Sequence, residues 1–221
     1  MKKQILALLL LGSLAFAIQP AESWNVGAVG KYAPTGNANV TTEGGNVTEL
    51  NLSGNISTEK WAGYWGNVTG EIVLSPGSAP LFYSWTWDSG DGGEVCAIAA
   101  PSGFDWSSVQ ATAGAAIDSI WGFGPTETDS ATSTLTESCS VDVAGTPVAG
   151  SAGITTYGAT FQTCAVADGA APAAKSNIAF CVNITQGGTL FNALAGDYQL
   201  LTATNETAGA FETHYFWLEL N

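Results

Sequence analysis

The chain has 221 residues, 46% hydrophobic, 10% aromatic and only 11% charged, with a formal net charge of −14. Its five Lys include Lys2 and Lys3 at the extreme N-terminus, it has no Arg, and the remaining three Lys face 19 carboxylates, a balance that repels nucleic acid and anionic lipid head groups. So apolar a composition excludes disorder, and roughly 200 residues beyond an N-terminal leader suffice for one domain with a real core.

Lys2 and Lys3 precede an apolar run from Ile5 to Phe16, and Ala15-Phe16-Ala17 offers the small residues that a signal peptidase inspects. The pattern predicts a secretory signal peptide over 1–17, with cleavage after Ala17 as the first choice and an uncleaved anchor as the alternative. The run falls short of the about 20 apolar residues a membrane span needs. It breaks into Gln19, Pro20 and Glu22, and no later stretch is apolar enough to cross, so no membrane span is expected after cleavage.

Residues 18–45 read as an N-terminal arm and loop, with Trp24, Val26 and Ala28 in alternation ahead of KYAPTGNANVTTEGG. Residues 46–221 read as a single domain. Its first strand is expected around Leu50 and Leu52, which share one face while Asn51 and Ser53 share the other. A second follows, with Ala62, Tyr64, Gly66, Val68, Gly70, Ile72 and Leu74 on one continuous face and Asn67 and Thr69 opposite. LFYSWTW is a third, with Leu81, Tyr83, Trp85 and Trp87 expected inward, and SGDGGE turns the chain into a strand from Val95 to Ala99.

One helix is predicted over 104–121, capped by Asp105 or Ser107, with Val109, Ala113, Ala116, Ile117, Ile120 and Trp121 at helical spacing. Gly122, Gly124 and Pro125 end it. TETDSATSTLTES then reads as an exposed strand or an O-glycosylated loop. Residues 139–164 read as a hairpin turning at AGSAG, and strands follow at Phe180 to Ile184, Tyr198 to Ala203 and His214 to Leu220. The expected fold is mainly β, a β-sandwich of Ig-like or jelly-roll-like kind with one helix packed on it.

Seven N-glycosylation sequons begin at Asn39, Asn46, Asn51, Asn55, Asn67, Asn183 and Asn205. Behind a signal peptide, strands that turn these Asn outward give bulky glycans an outlet. Cys96, Cys139, Cys164 and Cys181 make an even set without CxxC spacing, as for two disulfides in an oxidising compartment. Three pairings are open. Hairpin symmetry favours Cys139 with Cys164 and leaves Cys96 with Cys181.

Asp88, Asp91 and Glu94 supply oxygen ligands of the kind calcium takes, in a Gly-rich loop lacking the EF-hand order, and a solvated turn is the expected reading. His214 is the only histidine. Without a second base, a GxSxG elbow or a ligand cluster, no nucleophilic enzyme and no zinc site is expected, and a glycosidase would need two carboxylates facing each other in a cleft. Trp61 and Trp65 share a strand face opposite Tyr64. Exposed, they would stack on sugar rings or meet a neighbouring subunit; buried, they belong to the core.

The stretch WAGYWGNV from Trp61, with FDWSSV, IDSIWGFG, TDSATSTL, DYQLL and HYFWLEL, resembles secreted archaeal proteins that bring no assigned activity. That resemblance implies an extracellular, cell-surface setting and no catalytic residue. The expected architecture is loosely similar to extracellular filament subunits, in which an arm completes a neighbour's sheet. The sequence therefore leads to a structural, self-assembling protein with no cofactor, a filament or surface-layer-associated subunit joined through Trp24 and its neighbours. The alternative is a carbohydrate-binding module that holds a surface polysaccharide through Trp61 and Trp65.

Overall fold

A computed structural model of the chain describes residues 18–33, 39, 41–76, 80–158, 160–204 and 211–221. The expected signal peptide and the sequon at Asn205 lie outside the described residues. In chain order the elements are β1 (Gln19–Pro20), β2 (Trp61–Gly66), β3 (Gly70–Leu74), β4 (Tyr83–Trp87) and β5 (Gly93–Ile98). A 3-10 turn at Trp106–Ser108, β6 (Gln110–Ala111), α1 (Gly114–Trp121) and α2 (Ala131–Thr134) follow. The second half holds β7 (Glu137–Val143), β8 (Thr146–Thr155), β9 (Gln162–Ala167) and β10 (Ile178–Asn183). It ends with β11 (Gly188–Thr189), β12 (Ala195–Gly196), β13 (Tyr198–Ala203) and β14 (Tyr215–Leu220).

Eight strands form an antiparallel sheet in the order β1-β14-β5-β10-β9-β8-β7, with β6 beside β9. Its central strands are apolar at nearly every position because both faces are covered. On one face Val95, Ala97, Phe180 and Val182 meet Ile117 and Trp121 of α1 and Leu200 of β13. On the other, Cys96, Ile98, Val166 and Cys181 meet Val141, Val143 and Val148, so the β7–β8 hairpin folds back over the sheet that it extends. The fold is mainly β, sandwich-like, with a helix packed on one face.

The β7–β8 turn falls at Ala144 and Gly145, both at positive φ (52° and 68°), the requirement of a two-residue type I′ hairpin. This corrects the expected turn at AGSAG, whose residues lie along β8 and extend it to ten residues. The disulfide pairing is the expected one, but its geometry differs. Cys96 and Cys181 are directly opposed on neighbouring strands. Cys139 and Cys164 instead join β7 to β9 across β8, where a Cβ on Gly153 would lie 2.6 Å from Cys139 Sγ.

The helix is shorter than its pattern predicts. Asp105 caps only the 3-10 turn, accepting from Ser107 N at 3.0 Å and from the Ser108 hydroxyl at 2.9 Å, and these local bonds compete with a continuing helix. Gln110 and Ala111 are then drawn into the sheet against β9. Helix α1 begins at Gly114, where any Cβ would lie 2.9 Å from the Ala131 carbonyl, and ends at Gly122 with φ 72°. The Ser/Thr-rich segment is neither a strand nor an exposed loop at its centre. It forms α2, whose first amides donate to buried Asp118 (Ala131 N at 2.6 Å, Thr132 N at 3.0 Å), before running into β7.

Two expected strand faces also need correction. Residues 46–57 form no strand, and Leu50 and Leu52 are exposed. Their alternation is intact, but nothing pairs with them among the described residues. The face predicted to run from Ala62 to Leu74 breaks at 67–69, and β3 pairs only with β4. Of the expected inward set in LFYSWTW, only Trp87 is buried, while Leu81, Tyr83 and Trp85 are exposed.

Candidate functional site

The arm is a long loop fastened at both ends. At its start Ile18 is buried, Gln19 and Pro20 pair with Leu218 and Trp217, and Ala21 N donates to the Phe216 carbonyl at 3.0 Å. At its end Lys60 Nζ lies 2.6 Å from Asp129 and 3.0 Å from Glu127, and Thr58 Oγ1 donates to Asp129 at 2.8 Å. The Lys60 ammonium holds the Asp129 carboxyl below the usual carboxylate range. Between these anchors the described residues from 22 to 57 enter no helix or strand, and Trp24 (80% exposed), Val26, Leu50, Leu52 and Ile56 face solvent.

The same chain carries an uncovered apolar ribbon. The β3–β4 hairpin is two strands wide, and Ile72, Val73, Leu74, Leu81, Phe82, Tyr83 and Trp85 are all exposed. Tyr83 and Trp85 stack edge-on at 4.9 Å between ring centroids. The base is anchored by buried Trp87, whose indole N–H donates to the Gly92 carbonyl at 3.0 Å, and by Val68, whose amide donates to Asp197 at 3.0 Å. An isolated two-stranded hairpin is marginal in water, and its unpaired edge accepts a further strand.

The sequon asparagines fall into two groups. Asn39, Asn46, Asn51 and Asn55 lie on the arm, Asn67 and Asn183 lie on the body, and all six side chains are exposed.

The two candidate tryptophans part company. Trp61 is partly buried and packs on the core against Phe123 and Phe180, and its indole N–H donates to the Asp129 carbonyl at 2.8 Å. Trp65, 42% exposed, meets the exposed ring of Phe191 edge-on at 5.8 Å. On the opposite face Tyr64 packs on Phe216, and its hydroxyl lies 3.1 Å from His214 Nδ1. His214 Nε2 lies 3.2 Å from the Ala203 carbonyl and must donate to it, so Nδ1 accepts from Tyr64. Burial holds the His214 pKa below its usual 6.5.

The acidic Gly-rich loop forms a turn. Asp88 Oδ1 accepts from Gly90 N at 2.8 Å and Asp91 Oδ2 accepts from Asp88 N at 3.1 Å, so both tie the turn. Glu94 belongs to β5 and is buried beside Glu219. Among the described residues no three His, Cys, Asp or Glu side chains converge as a metal site requires. A surface depression of about 460 Å³ beside the start of α1 is lined mainly by small residues and carries one carboxylate, Glu137. Hydrogen bonds from Thr155 and Gln162 hold that carboxyl's pKa low.

The buried pair Glu94 and Glu219 is what the sequence reading missed. Each is 1% exposed, and they sit directly opposite each other on β5 and β14. Two signals were present: Glu94 opens the apolar run EVCAIA, and Glu219 interrupts FWLEL on the face of Trp217. Comparison of the chain with family models, curated proteins and solved structures returned no match.

Proposed function

We propose that this is a secreted, N-glycosylated structural protein of the cell surface that polymerises by strand addition. The observation that carries the reading is the coexistence of an alternating exposed apolar stretch at Trp24, Val26 and Ala28 and an apolar hairpin, neither of which pairs with a further strand among the described residues. An edge strand offers unpaired backbone groups and pockets for alternate side chains, which Trp24, Val26 and Ala28 of another copy would fill. The segment around Trp24 carries no sequon, whereas four sequons crowd residues 39–57, so glycans there would shield the loop without obstructing the donor segment. Two disulfides and a sheet buried on both faces suit an oxidising exterior.

The test replaces Trp24 and Val26 together by Ser. Both are exposed in the monomer, so its melting temperature should stay unchanged while filaments seen by electron microscopy disappear. Filaments that persist overturn the donor assignment. A wild-type protein that stays monomeric at high concentration overturns assembly itself. The second reading, a carbohydrate-binding module, now rests on Trp65 and Phe191 alone. It requires Trp65→Ala to abolish retention on a surface polysaccharide.

A further inference from the structure

Burying two carboxyls side by side is costly unless one of them keeps its proton or something supplies positive charge. Glu94 and Glu219 are directly paired across β5 and β14, Glu219 Oε2 accepts from Ala144 N at 2.6 Å, and the buried Oε1 atoms of both have no hydrogen-bond partner. The groups facing the pair are Asp142 on β7, which adds repulsion, the Ala144 amide at the β7–β8 tip, and uncharged Asn183 opposite Glu94 on β10. No side-chain cation of the described residues is spare. Lys31 pairs with Glu59, Lys60 with Glu127 and Asp129, Lys175 with Glu212, and His214 is tied to Tyr64 and Ala203. Burial and the facing Glu219 push the Glu94 pKa up to about 10.

The register of the edge strand points to what is missing. Gln19 stands opposite Leu218 and Pro20 opposite Trp217, so the ladder carried one step back sets Ile18 beside Glu219. Ile18 is buried in the cluster that holds Cys96 and Trp217, on the face where Glu94 and Glu219 lie. Cleavage after Ala17 makes Ile18 the first residue and turns its amide nitrogen into an ammonium. We propose that the α-ammonium of Ile18, released by signal cleavage, is the counter-ion of Glu94 and Glu219 and latches β1, β14 and the β7–β8 tip together in the mature protein. The latch rests on the secretory reading and is independent of polymerisation.

The hydrolysis itself balances simply: the Ala17–Ile18 amide takes up water, Ala17 leaves as a carboxylate, and Ile18 keeps the proton as an ammonium. In the uncut chain the raised pKa makes the seam most favourable below 4.5, and that contribution is lost as pH rises towards about 10. In the mature chain the ammonium sustains the seam through neutral pH, until it loses its proton above roughly pH 8.

The experiment compares two recombinant chains, one beginning at Ile18 and one carrying two extra residues before it, by thermal unfolding across pH. The chain beginning at Ile18 should melt several degrees higher at about pH 6–7, the gap should close near about pH 10, and E94Q with E219Q should remove it. Equal melting temperatures for the two chain starts overturn the latch. So does a gap that survives the double substitution, and so does calcium closing the gap by stabilising the extended chain. If the double variant fails to fold, E219Q alone and Nα-acetylation of the Ile18 chain, which should abolish the gain, keep the test decisive. N-terminal sequencing of the native protein checks cleavage separately: a start other than Ile18 defeats the processing step even if the recombinant chains differ.

Discussion

Trp61 and Trp65 show how little a shared strand face says about role. They are four residues apart on one side of β2, yet Trp61 is locked between Phe123, Phe180 and the Asp129 carbonyl while Trp65 lies half open at the rim. Trp61→Ala should lower unfolding free energy by about 3 kcal/mol in denaturant titrations, because it leaves a cavity, whereas Trp65→Ala should cost less than about 1 kcal/mol. The sequence placed both on one face correctly. Which of them is covered depends on the α1–α2 loop, distant in the chain, and no local pattern carries that. The depressed pKa of His214 gives a signed expectation. The unfolded chain binds a proton near 6.5 and the folded chain resists it, so the His214 contribution is complete above 6.5 and is lost as pH falls through the lower folded value. His214→Gln should flatten the acid side of a melting-temperature profile while leaving the alkaline side alone.

Among elements, the strands β5, β10, β13 and β14 were the most legible, because each combines an apolar run with turn residues at its ends. The β7–β8 hairpin was misread for a specific reason. AGSAG resembles a turn by composition, but its glycines serve other needs: Gly153 makes room beneath the Cys139–Cys164 bridge, and the real turn is the unassuming pair Ala144-Gly145. Gly153→Ala should therefore block that bridge, read as two free thiols and a loss of about 2–4 kcal/mol. Ala144→Asn should do the reverse, gaining about 0.5–1 kcal/mol, because Asn tolerates the left-handed conformation that Ala holds here at φ 52°. The helix was overextended because Asp105, Ser107 and Ser108 satisfy one another locally, an outcome that helical spacing alone does not reveal.

For the whole molecule, the alternation at Leu50 and Leu52 matters most as a miss that informs. The pattern is that of a strand, yet within one chain it finds no sheet, and the same holds for the open side of β3–β4. Apolar alternation that folding leaves unused is what a subunit reserved for assembly would show, and the Ser substitutions at Trp24 and Val26 examine that directly. The placement of lysine has a separate practical consequence. With no Arg, the body offers a trypsin-like protease only Lys31, Lys60 and Lys175. The side chains of Lys60 and Lys175 are only 20% and 35% exposed and lie against folded body, whereas Lys31 is 56% exposed in the open loop. A brief digest should nick behind Lys31 and stop, leaving the segment with Trp24 held to the body through β1 until denaturation separates it, and longer incubation should give few peptides of any size convenient for mass mapping.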